Sequence, residues 1–157
     1  IADIMNLTAK ILKALNIEPI LQISNINIPN LVASELNIDV DLFKNGEIAS
    51  LFKLNCEWLN RLIKVKNIAS LEEVINIVPK TIKIELEKLL KKANEVEYSN
   101  IIIAPLYYGS LRYYDGIYYR VINDNLTLCK GGMYSSEGMS SLGFALYTDN
   151  LLKILED

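Results

Sequence analysis

The sequence contains no histidine, and that absence closes several chemistries at once. Within these 157 residues there is no imidazole general base, no Ser-His-Asp triad and no histidine metal ligand. Cysteine is nearly as scarce. Cys56 and Cys129 are too few for a structural zinc site or a disulfide framework, and they read as core thiols of a reducing compartment. No apolar run reaches about 18 residues, so no segment is expected to span a membrane, and no signal peptide is expected at the start of the chain. A surplus of basic charge is missing too. Sixteen Lys and Arg face nineteen Asp and Glu, a net charge of -3 and the wrong sign for a nucleic-acid footprint. The expectation is a soluble cytoplasmic domain with no nucleic acid, membrane, metal or cofactor among its partners. Because the first residue is Ile1 with a helix already under way, a fragment of a longer protein is also expected.

What is present is enough for a core: 51% of residues are hydrophobic and 22% charged, in a length that suits one domain. The aromatic residues are unevenly spread. All nine tyrosines lie at Tyr98 or later, and six of the seven glycines fall between Gly109 and Gly143. A helical first part followed by a β-rich final part accounts for both, since Tyr suits pleated surfaces and Gly marks turns and bulges. Ile4, Leu7, Ile11, Leu12 and Leu15 predict an opening helix that stops at Asn16, and Ile20 to Ile23 a short strand. From Pro29 to about Glu95 the pattern predicts a run of short helices. Asp39 precedes one, Asn45-Gly46 breaks it, and Trp58, Leu59, Leu62 and Ile63 stripe another. Ser70 to Glu73 reads as a capping box with Ser70 as the N-cap, and Ile82, Leu86, Leu89 and Leu90 stripe the last of these helices. Lys83, Glu87 and Lys91 read as its solvated face.

The period then changes. Ile101-Ile102-Ile103 predicts a strand buried on both faces. Tyr113 to Ile122, the turn Asn123-Asp124-Asn125, and Leu126 to Cys129 predict a β-hairpin. Alternation puts Tyr113, Asp115, Ile117, Tyr119 and Val121 on one face, with Tyr114, Gly116, Tyr118 and Arg120 on the other. Gly143 to Tyr147 reads as a strand entering a helix that starts near Asp149. The face with Tyr114 and Gly116 is the expected recognition surface: glycine admits a close approach, and tyrosine brings stacking area and a hydroxyl. Gly131 and Gly132 on the next strand could keep a pocket floor low. Ordinary cross-strand tyrosine pairs with glycine bulges explain the same pattern. Lys130-Gly131-Gly132 lacks the upstream glycine and following Ser/Thr of a phosphate loop. Asp115, Asp124 and Asp149 form no catalytic pair, since turn and helix-start roles account for the last two.

The order Leu111-Arg112-Tyr113-Tyr114-Asp115-Gly116-Ile117-Tyr118-Tyr119, then Gly131-Gly132-Met133-Tyr134, then Gly143-Phe144-Ala145 and Asp149-Asn150-Leu151-Leu152 resembles the second half of the histidyl-tRNA synthetase catalytic domain. It is more similar still to that enzyme's non-catalytic relative, the ATP phosphoribosyltransferase regulatory subunit. The specific part runs from Gly109 to Leu152. The resemblance implies an α+β fold with an antiparallel class II synthetase sheet, flanking helices and N-terminal strands missing. It implies one domain over 1–157, with 29–95 as a helical insertion and 98–157 as a β-rich part ending in a helix. By the same resemblance Tyr114 would lie against a histidine side chain, supported by Tyr113 and Gly116. The family's activating arginine falls on Gly109 and the glycine after it on Ser110. The acidic position of that motif is Arg112, and the third-motif arginine is Asn150. Met133 and Ser135 replace an Arg and an Asp. A regulatory subunit that senses L-histidine, assembles with the catalytic subunit of ATP phosphoribosyltransferase and forms an oligomer is therefore implied. A histidyl-tRNA synthetase fragment, or an unrelated binding module with a tyrosine-rich hairpin, remains open.

Overall fold

Small residues decide how the first helix sits. In the computed structural model, which describes residues 1–109 and 114–156, α1 (Ala2–Ala14) buries Ala2, Met5, Thr8, Ala9 and Leu12. Leu7 and Leu15, expected in the buried stripe, are 47% and 39% exposed. Alanine and threonine let the helix axis come close to the sheet, and that fixes which side faces inward. Asn16, at φ 59°, ends the run as expected.

β1 (Ile20–Asn25) follows and is buried from Leu21 onward. The chain then makes α2 (Asn27–Leu36), α3 (Asp41–Lys44), α4 (Ile48–Phe52), α5 (Glu57–Ile63), α6 (Ile68–Ile75) and α7 (Lys80–Asn94). Pro29 falls in the first turn of α2, where its missing N–H costs nothing. The Asp39 carboxylate accepts from the Asp41 N–H at 2.9 Å, and Gly46 (φ +64°) turns the chain after α3. The capping box of α6 lies three residues earlier than expected. Asn67 is the N-cap: its Oδ1 accepts from the Ser70 N–H at 2.9 Å, while Ser70 Oγ accepts from the Asn67 N–H at 3.1 Å. Asn caps as well as Ser, and starting at Asn67 keeps Leu71, Val74 and Ile75 on the buried side.

β2 (Ile101–Ile103) returns parallel to β1, with Leu21 opposite Ile101 and Ile23 opposite Ile103. A parallel return needs a long crossover, and α2 to α7 provide it. β2 is an edge strand, and Ile102 is 36% exposed. Burial on both faces is therefore corrected: the β-branched run serves an edge with one buried face.

β3 (Tyr114–Asn123), β4 (Leu126–Ser136) and β5 (Met139–Leu146) complete the sheet in the order β2-β1-β3-β4-β5. The hairpin turn falls at Asp124-Asn125, with Asp124 at φ 50°. The expected antiparallel sheet is mixed, since β1 with β2 is parallel and the other pairings are antiparallel. β5 forms the second edge, and its eight residues carry no charge. α8 (Thr148–Leu155) packs back on β4. Leu21, Ile23, Tyr119, Val121 and Cys129 are buried in the core, and alternation sends Gln22, Tyr118, Arg120 and Lys130 to the opposite face.

Candidate functional site

Cross-strand register builds that opposite face in rows. Gln22, Arg120, Lys130 and Ala145 form one row, and Ser24, Tyr118, Gly132 and Gly143 the next. Tyr114 stands opposite Tyr134 at the outer end.

Its centre is filled by its own side chains. The Tyr118 hydroxyl accepts from the Gly109 N–H at 2.8 Å and donates to the Tyr107 carbonyl, so it pins residues 107–109 to the sheet. Burial raises the Tyr118 pKa well above the ordinary phenol value, and the group stays a neutral donor. Arg120 lies 4.1 Å from the Tyr107 ring centroid and donates to Gln22 Oε1 at 2.9 and 3.2 Å. Tyr114 stacks on Tyr118. The gap left among Tyr107, Tyr114, Tyr118, Arg120 and Lys130 is about 10 Å³, no more than one water. Beside it a cleft of about 460 Å³ opens outward, bordered by Tyr114, Lys130, Tyr134 and Gly143. This face carries two cations: Lys130 lines the cleft, and Arg120 lines the small gap beside it.

The residues expected at the site are divided by the structure. Tyr114 is on this face, half-buried at the cleft. Gly132 is also here, under the rings: a Cβ on it would come within 2.6 Å of Tyr114 and 2.7 Å of Tyr118. It makes room for tyrosine, not for a ligand at that level. Gly131 points to the other side, where a Cβ would meet Tyr119 at 2.5 Å and Phe144 at 2.8 Å, because adjacent strand residues face opposite ways. Gly116 sits at a register shift in β3 with φ +92°, and its carbonyl accepts from the Ile26 N–H at 3.0 Å. That bulge breaks the expected alternation, and Gly116 lines a different cleft, with Asn25 and Glu85. Tyr113, Ser110 and Arg112 lie outside the described residues.

Of the substituted positions, Gly109 has no room for a side chain while Tyr118 stays in place, since a Cβ would lie 2.9 Å from that ring. Asn150 donates to the Thr127 carbonyl at 2.8 Å and ties α8 to β4. Ser135 donates to Asp115 at 3.1 Å. Alternation already placed Arg120 on this face, whereas Tyr134 and Gln22 were missed as members of it. The register signal was available for Tyr134, two residues after Gly132 and so on the same side.

A mixed sheet flanked by helices, with one tyrosine-lined open face, is the class II aminoacyl-tRNA synthetase type of fold, and solved structures agree. An ATP phosphoribosyltransferase regulatory subunit/histidyl-tRNA synthetase from Bacillus halodurans matches with a TM-score of 0.76 over 98% of this chain and 50% of that one, at 17% identity. A histidyl-tRNA synthetase from a Nostoc species matches with a TM-score of 0.73 over 99% of this chain and 46% of that one, at 16% identity. In sequence the chain is 37% identical to the ATP phosphoribosyltransferase regulatory subunit of Wolinella succinogenes, over 96% of this chain and 52% of the relative. It is 36% identical to the protein of that name from Helicobacter hepaticus, over 99% of this chain and 55% of the relative. The chain is therefore a homologue of ATP phosphoribosyltransferase regulatory subunits, and it spans about half the length of the curated relatives it matches. No family model matches it.

Proposed function

We propose that the chain is part of a non-catalytic regulatory subunit of ATP phosphoribosyltransferase in histidine biosynthesis. In this reading it acts in the cytoplasm as a single synthetase-like domain with a helical insertion at 29–95, within an oligomer that includes the catalytic subunit. The observation that carries the reading is the 36–37% identity, over nearly the whole chain, to proteins bearing that name.

The replaced positions support the non-catalytic half of it. Adenylation concentrates negative charge on a triphosphate and needs guanidinium or metal clamps there. Gly109, Met133 and Asn150 supply none, and Arg120 is engaged by Gln22 and Tyr107. A neutral hydroxyl can still satisfy an imidazole nitrogen. We place L-histidine in the cleft against Tyr114 and Tyr134, with Lys130 near its carboxylate. Regulation then requires histidine to bind two assembly states with different affinity, because equal affinity shifts nothing. Calorimetry with L-histidine on wild type and Tyr114→Ala tests this. Heat in wild type that is lost in the variant supports sensing at this cleft; equal heats, or none, overturn it.

A further inference from the structure

A second cleft, of about 450 Å³, opens where the side of α7 meets the bulged start of β3. It falls within the roughly 300–1,000 Å³ of small-molecule sites. It is separate from the Tyr114 cleft, with only Tyr134 lining both.

Its polar groups are sorted by sign. Lys88, Lys91 and Lys92 stand on the α7 side, at spacings that share one helix face. Two of these cations are already used. Lys88 donates to Glu85 at 2.5 Å and Lys92 to Glu95 at 2.6 Å. Lys91 has no hydrogen-bond or ion-pair partner among the described residues; its charge is felt by Glu95, but its ammonium lines the cleft without a direct contact. Glu85 is spent as well: its carboxylate also accepts from Asn25 Nδ2 at 2.9 Å and Asn27 Nδ2 at 3.4 Å. Across the cleft, Asp115 is exposed and accepts from Ser135 through Oδ2, and its other oxygen has no hydrogen-bond partner among the described residues. Ile117 and Met133 add apolar surface, and Gly116 leaves open space, with nothing within 4 Å of where a Cβ would stand.

A simple anion entering here meets Asp115, and a simple cation meets the lysines. A molecule carrying both charges meets a partner at each end. We infer that this cleft is a binding site for a zwitterionic, amino-acid-sized metabolite. Its carboxylate lies toward Lys91, its ammonium toward Asp115 and its side chain on Ile117 and Met133. The inference goes beyond the assembly and sensing proposed above and does not depend on Tyr114.

The test is a nitrogen-15 NMR titration of the whole chain, following the Gly116 and Ile117 amides. The probes are L-methionine, its N-acetyl derivative (anion only) and its amide (cation only). L-Methionine should shift these amides, with each single-charge analogue about tenfold weaker or worse, the loss of one charge contact of about 1.4 kcal/mol. Lys91→Gln and Asp115→Asn should each weaken binding about as much, while Tyr114→Ala leaves it unchanged. Both substituted side chains are exposed, so folding should survive, and circular dichroism checks it. No shift with 10 mM L-methionine (on the order of the weakest affinity of interest), equal binding of the N-acetyl derivative, or loss of binding in Tyr114→Ala overturns the inference.

Discussion

The ring of Tyr114 lies flat on that of Tyr118, with centroids 5.4 Å apart and planes 8° from parallel, and Gly132 sits directly beneath the pair. Gly132→Ala should therefore cost about 1–3 kcal/mol by overpacking. Removing the upper ring should return part of that. In urea unfolding, Tyr114→Ala/Gly132→Ala should be less destabilised than the sum of the single variants. Strict additivity would mean that the rings do not occupy this position.

The Tyr118 hydroxyl is the tie between residues 107–109 and the sheet. Tyr118→Phe leaves the Gly109 N–H and the Tyr107 carbonyl without this partner, at a cost of about 1–3 kcal/mol. Hydrogen exchange should show the Gly109 amide losing protection well beyond the global change. Protection that falls evenly across the sheet would count against a local tie.

Much of this was legible in the sequence, and the failures have physical causes. The helix-then-sheet division, the Asp124 hairpin turn and the entry into α8 followed from composition, turn chemistry and period, all local properties. The buried side of α1 was misread because Thr8 and Ala9 carry little hydrophobic signal. Thr8 is buried because it accepts from or donates to the Tyr119 hydroxyl at 2.8 Å, a partner 111 residues away. The glycines drew attention as a pocket floor, yet Gly131 and Gly132 answer to tyrosine rings on opposite faces. Gly116 is a bulge that strict alternation cannot anticipate. The Glu85 network was invisible because it joins α7 to the end of β1 across 60 residues.

That network sets a pH dependence. Burial alone would raise the Glu85 pKa, but hydrogen bonds from Lys88, Asn25 and Asn27 outweigh it, and the carboxyl sits below its ordinary value of 4.5. A depressed carboxyl contributes stability that is fully present above the unfolded-state value and is lost as pH falls through the folded one. Thermal melts should therefore show wild type losing stability below about pH 4.5, with a smaller loss for Glu85→Gln. Identical slopes for the two proteins would remove Glu85 from the account.

The two thiols should separate cleanly. Cys129 is buried against Tyr119, its Sγ 3.9 Å from that hydroxyl, and burial pushes its pKa up to about 11. Cys56 is partly exposed. Because thiolate and access control the rate, iodoacetamide at neutral pH should label Cys56 in the folded chain and Cys129 only after denaturation. Mass spectrometry of peptides from native labelling reads this directly, and equal labelling would contradict the buried position of β4.

In the function proposed above, a synthetase fold is kept without nucleotide activation. Histidine-dependent exchange of pyrophosphate into ATP measures that activation most directly, on the full-length protein with and without the catalytic subunit of ATP phosphoribosyltransferase. No exchange is expected in either case, together with co-elution of the two proteins as one complex. Exchange by the protein alone, with the catalytic subunit eluting separately, would contradict it.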